Sequence, residues 1–182
     1  YQSNKIEKFL KNKNIKLIKN RNFKKTNMVH SMFCASKNIN EDVVVAYSDI
    51  VFDYSIYNLL KRKKLTTMPI KIDWLKIWKK RMPFKEIKND AENLIVKNNT
   101  LISIGTKINN TLPKFQFMGL LKIVYKDFLI MKKYYKKINN RKIDFTSFIN
   151  LLIKEKKIKV TCLKTKKFWI EIDTIKDLVV AN

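Results

Sequence analysis

Two acidic residues stand at the ends of apolar runs that lie far apart in the chain. The first run is Asp42-Val43-Val44-Val45-Ala46-Tyr47, which closes on Ser48-Asp49-Ile50. The second is Trp169-Ile170-Glu171-Ile172, which closes on Asp173-Thr174. A carboxylate at the carboxyl end of a buried strand sits where α/β sheets bind their ligands. It is costly to desolvate there unless it holds a cation or accepts hydrogen bonds. Two such carboxylates can meet at one Mg²⁺ ion, which takes few protein ligands and leaves room for phosphates and water. Plainer roles stand beside this one. Asp49 can cap the following turn, and Asp177 can balance the dipole of a helix that starts after Thr174.

The elements that must position these residues follow from periodicity. Ile6, Phe9 and Leu10 have helical spacing, and Ile15 to Ile18 is a short apolar strand signal. Thr26 or Asn27 can cap a helix through Met28, Met32 and Ala35. Asp42 to Tyr47 reads as a strand buried on both faces, the mark of a parallel sheet. A helix is expected over Tyr54 to Lys63, a strand over Pro69 to Asp73, and a helix carrying Trp74, Ile77 and Trp78 on one face. Leu101 to Ile104 and Phe115 to Val124 suggest strands, followed by helices near 126–137 and 144–155. Ile158 to Leu163 and Phe168 to Ile172 return to strand. Alternation puts Trp169, Glu171 and Asp173 on one face. Thr174 then caps a last helix, with Asp177 three residues on. Strands alternating with helices argue for an α/β fold, a sheet covered on both sides.

Composition narrows the classes. The 182 residues allow one domain with a real core, and no Gly/Ser linker or repeat divides them. The formal net charge is +25, from 40 basic and 15 acidic residues. Arginine supplies only Arg21, Arg62, Arg81 and Arg141; lysine supplies the rest, spread along the whole chain. A specific reader of nucleic acid would use more arginine, whose fork pairs with phosphate and guanine. Lysine, asparagine and isoleucine share AT-rich codons, so the charge reads as compositional drift. No specific nucleic-acid partner is expected, only salt-sensitive attraction. No apolar run reaches the ~18 residues of a membrane span. Cys34, Cys162 and the lone His30 make neither a zinc site nor a disulfide framework, which points to a reducing, cytoplasmic setting. Both cysteines read as buried small apolar residues, and His30 as a packed or surface residue.

Seven blocks, in order, resemble the nucleotidyltransferase family, close to the phosphocholine cytidylyltransferase-like and sugar-phosphate nucleotidylyltransferase enzymes. They are Thr26-Asn27-Met28-Val29-His30-Ser31-Met32, Tyr47-Ser48-Asp49-Ile50, Asp73-Trp74 through Trp78 to Arg81, and Asp90-Ala91-Glu92-Asn93-Leu94. Ile104-Gly105-Thr106-Lys107, Gln116-Phe117-Met118-Gly119-Leu120 and Trp169 to Leu178 complete the set. The resemblance covers nearly the whole chain. It implies a Rossmann-like mixed sheet, mainly parallel, flanked by helices. It implies Mg²⁺ held by Asp49 and Asp173, the catalytic pair. Asn27 and Ser31 would border the nucleotide, and Asp73, Trp74, Arg81, Glu92, Gln116 and Gly119 the acceptor. The implied reaction joins an NTP, with CTP favoured, to a small phosphorylated acceptor such as phosphocholine or a phosphonate. A sugar 1-phosphate acceptor and a catalytically dead polyanion-binding remnant are the alternatives.

Within that resemblance several residues keep two roles. Trp74 and Trp78 can wall a quaternary ammonium by cation–π attraction or simply pack a helix onto the sheet. Arg81 can pair with Asp90 or Glu92, or reach the acceptor phosphate. The family's glycine-rich phosphate loop has no match, because Gly105 is the first glycine. Tyr1 resembles a tyrosine well beyond that loop. The expectation is a fold lacking its first strand and loop, with residues 1–182 as one incomplete domain. Ser147 stands where the family has an aspartate after Thr146.

Overall fold

The computed structural model describes residues 2–108 and 111–181; Tyr1 lies outside them. One sheet runs through the described residues in the order β1-β7-β3-β8-β5-β4. Its strands are β1 Val43–Ala46, β3 Thr67–Lys71, β4 Asn93–Lys97, β5 Thr100–Thr106, β7 Leu120–Ile123 and β8 Thr161–Thr165. The two-residue β6, Gln116–Phe117, pairs with β3 off that path. A separate ribbon joins β2 Ile50–Phe52 to β9 Trp169–Glu171, antiparallel.

The sheet is mixed. Of the six strands in order, four (β1, β3, β8 and β4) point the same way, as a mainly parallel sheet requires. The ladders are another matter: only β3–β8 is parallel, and the rest of the described ladders are antiparallel.

Side-chain alternation divides the interior into two cores. Met68, Ile70, Leu121 and Ile123 face a core closed by α2 Met28–Cys34, α6 Tyr125–Lys137 and α7 Phe145–Lys154. Leu120 and Val44 face the other, closed by α3 Tyr54–Lys61, α4 Trp74–Arg81 and α5 Phe84–Asp90. The helix α1, Ser3–Leu10, has no buried residue. The last helix, α8, spans Ile175–Ala181. No described helix is long and apolar enough to cross a membrane.

Several sequence expectations change. Ile15 to Ile18 forms no strand: no ladder partner lies beside it among the described residues, and Ile15, Leu17 and Ile18 are exposed. Strand β1 is no central parallel strand. It lies at the end of the sheet order, pairs antiparallel with β7 and is half-buried. Its apolar run reports two covered faces, with Val43 and Val45 on one core and Val44 on the other. A run of this kind says nothing about how many neighbours the strand has. The stretch 115–124 is not one strand but β6 and β7, broken at Gly119. Gly119 has φ +66°, and a Cβ there would lie 3.2 Å from Tyr47 and Ile50. Cys162 is buried as expected, while Cys34 is only half-buried.

Two lysines are structural. Lys71, 1% exposed, donates to the carbonyls of Lys166 and Lys167 at 2.7 and 2.8 Å and pairs with Asp73 at 2.8 Å. Lys122, also buried, pairs with Asp42 at 3.0 Å and donates to the Lys63 carbonyl. A buried ammonium is tolerated only when such acceptors replace its water.

Candidate active site

The turn after β1 delivers Asp49, and the chain leaving β9 delivers Asp173. The β2–β9 ladder pairs Ile50 with Glu171, and the Ile172 amide donates to the Asp49 carbonyl at 2.7 Å. The two expected ligands therefore leave one ribbon at the same end. Both are exposed.

Asp49 also lines a cleft of about 530 Å³ with Ser31, Tyr47, Ser48 and Phe145. Ser31 reaches it because Asn27 starts α2, its Oδ1 accepting the Met28 amide at 2.8 Å. Asn27 Nδ2 donates to the Lys142 carbonyl at 3.3 Å, tying α2 to the segment before α7. Tyr47 meets Phe117 and Phe145 edge-on, at 5.7 and 6.1 Å between ring centroids. His30 packs as expected, its Nδ1 3.2 Å from the Tyr135 hydroxyl.

Beside Asp173 lies a buried ionic cluster. Arg81, 4% exposed at the end of α4, donates from Nε to Asp177 at 2.8 Å. Its other nitrogens donate to Asp173 Oδ2 at 2.7 Å and Glu171 at 3.4 Å. Its face lies over the Trp78 ring. Burial alone would push the guanidinium down; Asp177, Glu171 and Asp173 outweigh it and hold Arg81 above its usual value. Burial pushes Glu171 up to about 7 against the pull of Arg81, with Asp173, Asp90 and Asp49 adding to the rise. For Asp177 burial is outweighed by the bonds from Arg81 and Thr174, and its pKa falls. Among the described residues Arg81 hydrogen-bonds neither Asp90 nor Glu92 and meets the carboxylates of the closing block instead, which corrects the pairing alternative of its two readings. Spacing along α4 could not show that β9 and α8 come back to it.

A third group surrounds Gly105. Thr146 donates to Glu92 at 2.7 Å and lies 3.1 Å from Asp144, which caps α7 by accepting the Ser147 amide at 2.8 Å. Burial raises Glu92; in Asp144 it is outweighed by the bonds from Ser147 and Thr146, and that carboxyl is lowered. Gly105 has φ +74°, and a Cβ there would come 2.9 Å from Thr146 Oγ1. Close approach therefore explains the glycine of that block.

The remaining expected residues lie deeper. Trp74 and Trp78 are each 2% exposed and meet edge-on at 5.1 Å, with Trp74 Nε1 donating to the Pro113 carbonyl. They sit in the second core, which is the packing alternative of their two readings. Gln116 is 4% exposed, and its Oε1 accepts no hydrogen bond among the described residues. Asp73 is tied to Lys71. Residues assigned no site role from the sequence include Tyr47, Phe145, Asp144 and Thr146. Only the Asp144 cap left a local signal, an acid three residues before Ser147.

Asp49, Asp90, Glu92, Asp144, Glu171, Asp173 and Asp177 act on one another or on shared neighbours. A chain of net charge +25 thus gathers seven of its 15 acidic residues around Tyr47 and Arg81. That field favours a bound cation. Among the described residues no three His, Cys, Asp or Glu side chains form a metal cage. Two carboxylates with open space beside them suit Mg²⁺, which keeps waters and substrate phosphates in its shell.

No family model matches the chain. It is 32% identical over 175 residues to a CTP:phosphoglutamine cytidylyltransferase of Campylobacter jejuni, covering 87% of this chain and 68% of that protein. The inositol-1-phosphate CTP transferase of T. maritima superposes with TM-score 0.69 at 14% identity, over 94% of this chain and 66% of that one. A CTP:phosphocholine cytidylyltransferase of Streptococcus pneumoniae gives 0.69 at 13% identity, over 98% and 72%. The chain spans about two thirds of the length of these proteins. The structural matches share the fold, the sequence match reaches further, and the chain belongs to the nucleotidyltransferase family.

Proposed function

We propose that this protein transfers a cytidylyl group from CTP to a small phosphorylated acceptor, with Mg²⁺ held at Asp49 and Asp173. The observation that carries the reading is the 2.7 Å bond from the Ile172 amide to the Asp49 carbonyl, which sets both carboxylates at one end of one ribbon. An acceptor phosphate oxygen attacks the α-phosphorus of CTP; the bond to the β-phosphate bridging oxygen breaks and pyrophosphate leaves. Mg²⁺, when bound, neutralises phosphate charge and orients the reactants. The chain's own part is positioning. Ser31 and Ser48 offer hydroxyls to the nucleotide along the cleft, and Phe145 and Tyr47 close its apolar floor. Neither Glu92 nor Asp144 meets a Lys or Arg at ion-pair distance among the described residues. An acceptor whose phosphate is joined to an ammonium-bearing group is therefore favoured over one whose phosphate is joined to an uncharged sugar.

The test is pyrophosphate release with each of the four NTPs. The acceptors are phosphocholine, phosphoethanolamine, a phosphorylated amino acid and glucose 1-phosphate, each with and without Mg²⁺. Mg²⁺-dependent release with CTP and an amine-bearing acceptor is expected. Faster turnover of glucose 1-phosphate would shift the reading to sugar transfer. No release with any pair would remove it.

A further inference from the structure

From the buried ionic cluster we infer that Arg81 and Asp177 act together as positioning residues that fix Asp173 with one carboxylate oxygen engaged and the other open to the metal. The inference rests on the proposed metal role of Asp173. Asp173 is one of the few exposed members of the cluster, yet it is held on three sides. Arg81 donates to its Oδ2 at 2.7 Å, while Oδ1 accepts no bond among the described residues. Its backbone amide donates to Asp177 Oδ2 at 3.1 Å, and so does the Thr174 amide at 2.9 Å. The amide of Ile172, just before it, donates to Asp49.

The two partners are themselves locked to each other, Arg81 Nε to Asp177 Oδ1 at 2.8 Å, and both are almost fully enclosed, at 4% and 3% exposure. Asp177 thus spends one oxygen on the backbone of residues 173 and 174 and the other on the cation that grips the Asp173 side chain. An exposed carboxylate just past a strand end would otherwise sample several rotamers. Here its direction is set by a planar fork whose face rests on Trp78. A lysine has the charge but not the fork. Removing the fork while keeping the charge separates positioning from electrostatics, because a metal ion and Arg81 repel whichever way Asp173 points.

The experiment is titration of the protein with Mn²⁺, followed by its electron paramagnetic resonance signal, in wild type, Arg81→Lys, Asp177→Asn and Asp173→Asn. The Mg²⁺ dependence of turnover is measured beside it. Arg81→Lys and Asp177→Asn are each expected to weaken Mn²⁺ binding about tenfold. They are also expected to lower kcat more than they raise the KM for CTP, at temperatures well below unfolding. Mn²⁺ affinity equal to wild type in both, with Asp173→Asn deficient, overturns the positioning role and leaves the metal site standing. Wild-type Mn²⁺ affinity in Asp173→Asn removes the metal assignment itself, and this inference with it. If Arg81→Lys does not fold, Asp177→Asn decides, since its amide oxygen can still accept one of the two sets of bonds.

Discussion

The carbonyl of Asp49 accepts the amide of Ile172 at 2.7 Å, one residue short of Asp173. The geometry of the site turns on that backbone bond, so the two side chains can be altered without disturbing the ribbon. Asp49→Asn and Asp173→Asn are each expected to lower kcat roughly 10²–10³-fold, the usual cost of removing one preorganised electrostatic group. Both carboxylates are exposed, so the melting temperature of Asp49→Asn is expected to stay within a few degrees of wild type. Wild-type turnover in both variants would remove them from the chemistry.

Gly105 is expected to tolerate no side chain. In Gly105→Ala the new Cβ meets Thr146 Oγ1 at 2.9 Å and its backbone carbon at 3.3 Å, at a φ of +74°. The combination of strain and overlap costs about 1–3 kcal/mol. Denaturant unfolding measures it, and a change below about 0.5 kcal/mol, the usual size for an indifferent surface site, would contradict the contact.

The legibility of this fold was uneven. Helices α3, α4, α6 and α7 show in the spacing of apolar residues because each buries one stripe. The β2–β9 ribbon did not show as a pair, because its three-residue strands carry no period long enough to read. The acids Asp49 and Asp173 were legible through their place at the ends of apolar runs and by resemblance. The role of Arg81 was not. Its partners lie more than eighty positions away, and nothing local marks one arginine among 40 basic residues as buried. Lys71 and Lys122 were hidden for the same reason: a lysine-rich composition masks the two that the fold needs.

Glu92 is a case where removing a charge is expected to help. Its folded pKa is raised by burial, so it stabilises the fold below its unfolded value of 4.5 and loses that contribution as pH rises through the folded pKa. Glu92→Gln keeps an oxygen to accept from Thr146 and carries no charge. It is expected to melt higher than wild type at pH 8 and to lose that advantage near pH 4. A melting temperature below wild type at pH 8 would contradict the sign.

Asp42 shows the opposite sign. The Tyr125 amide, then Lys122, hold its carboxyl below the ordinary aspartate value of 3.8. Its contribution is present above pH 3.8 and lost as pH falls through the folded pKa. Asp42→Asn leaves buried Lys122 with carbonyl acceptors only. After allowance for the exposure of Asp42, the loss is about 1–2 kcal/mol at pH 7. The gap between variant and wild type is expected to narrow as pH falls below 3.8 and Asp42 takes up its proton, as followed by thermal melts across pH.

The ties that build this site span long stretches of chain: Arg81 to Asp177 and Lys71 to the Lys167 carbonyl each join residues 96 apart. Such loops lose more entropy on closing than the local turns of α6 or α7, and contacts of this range form late in a cooperative transition. The sheet itself closes at the same range, since β3 pairs with β8 residues 94 positions further on. The acidic cluster and the middle of the sheet are therefore gained and lost together, in one cooperative transition. Amide exchange is expected to show similar protection for the amide of Asp173 and for the β3–β8 ladder.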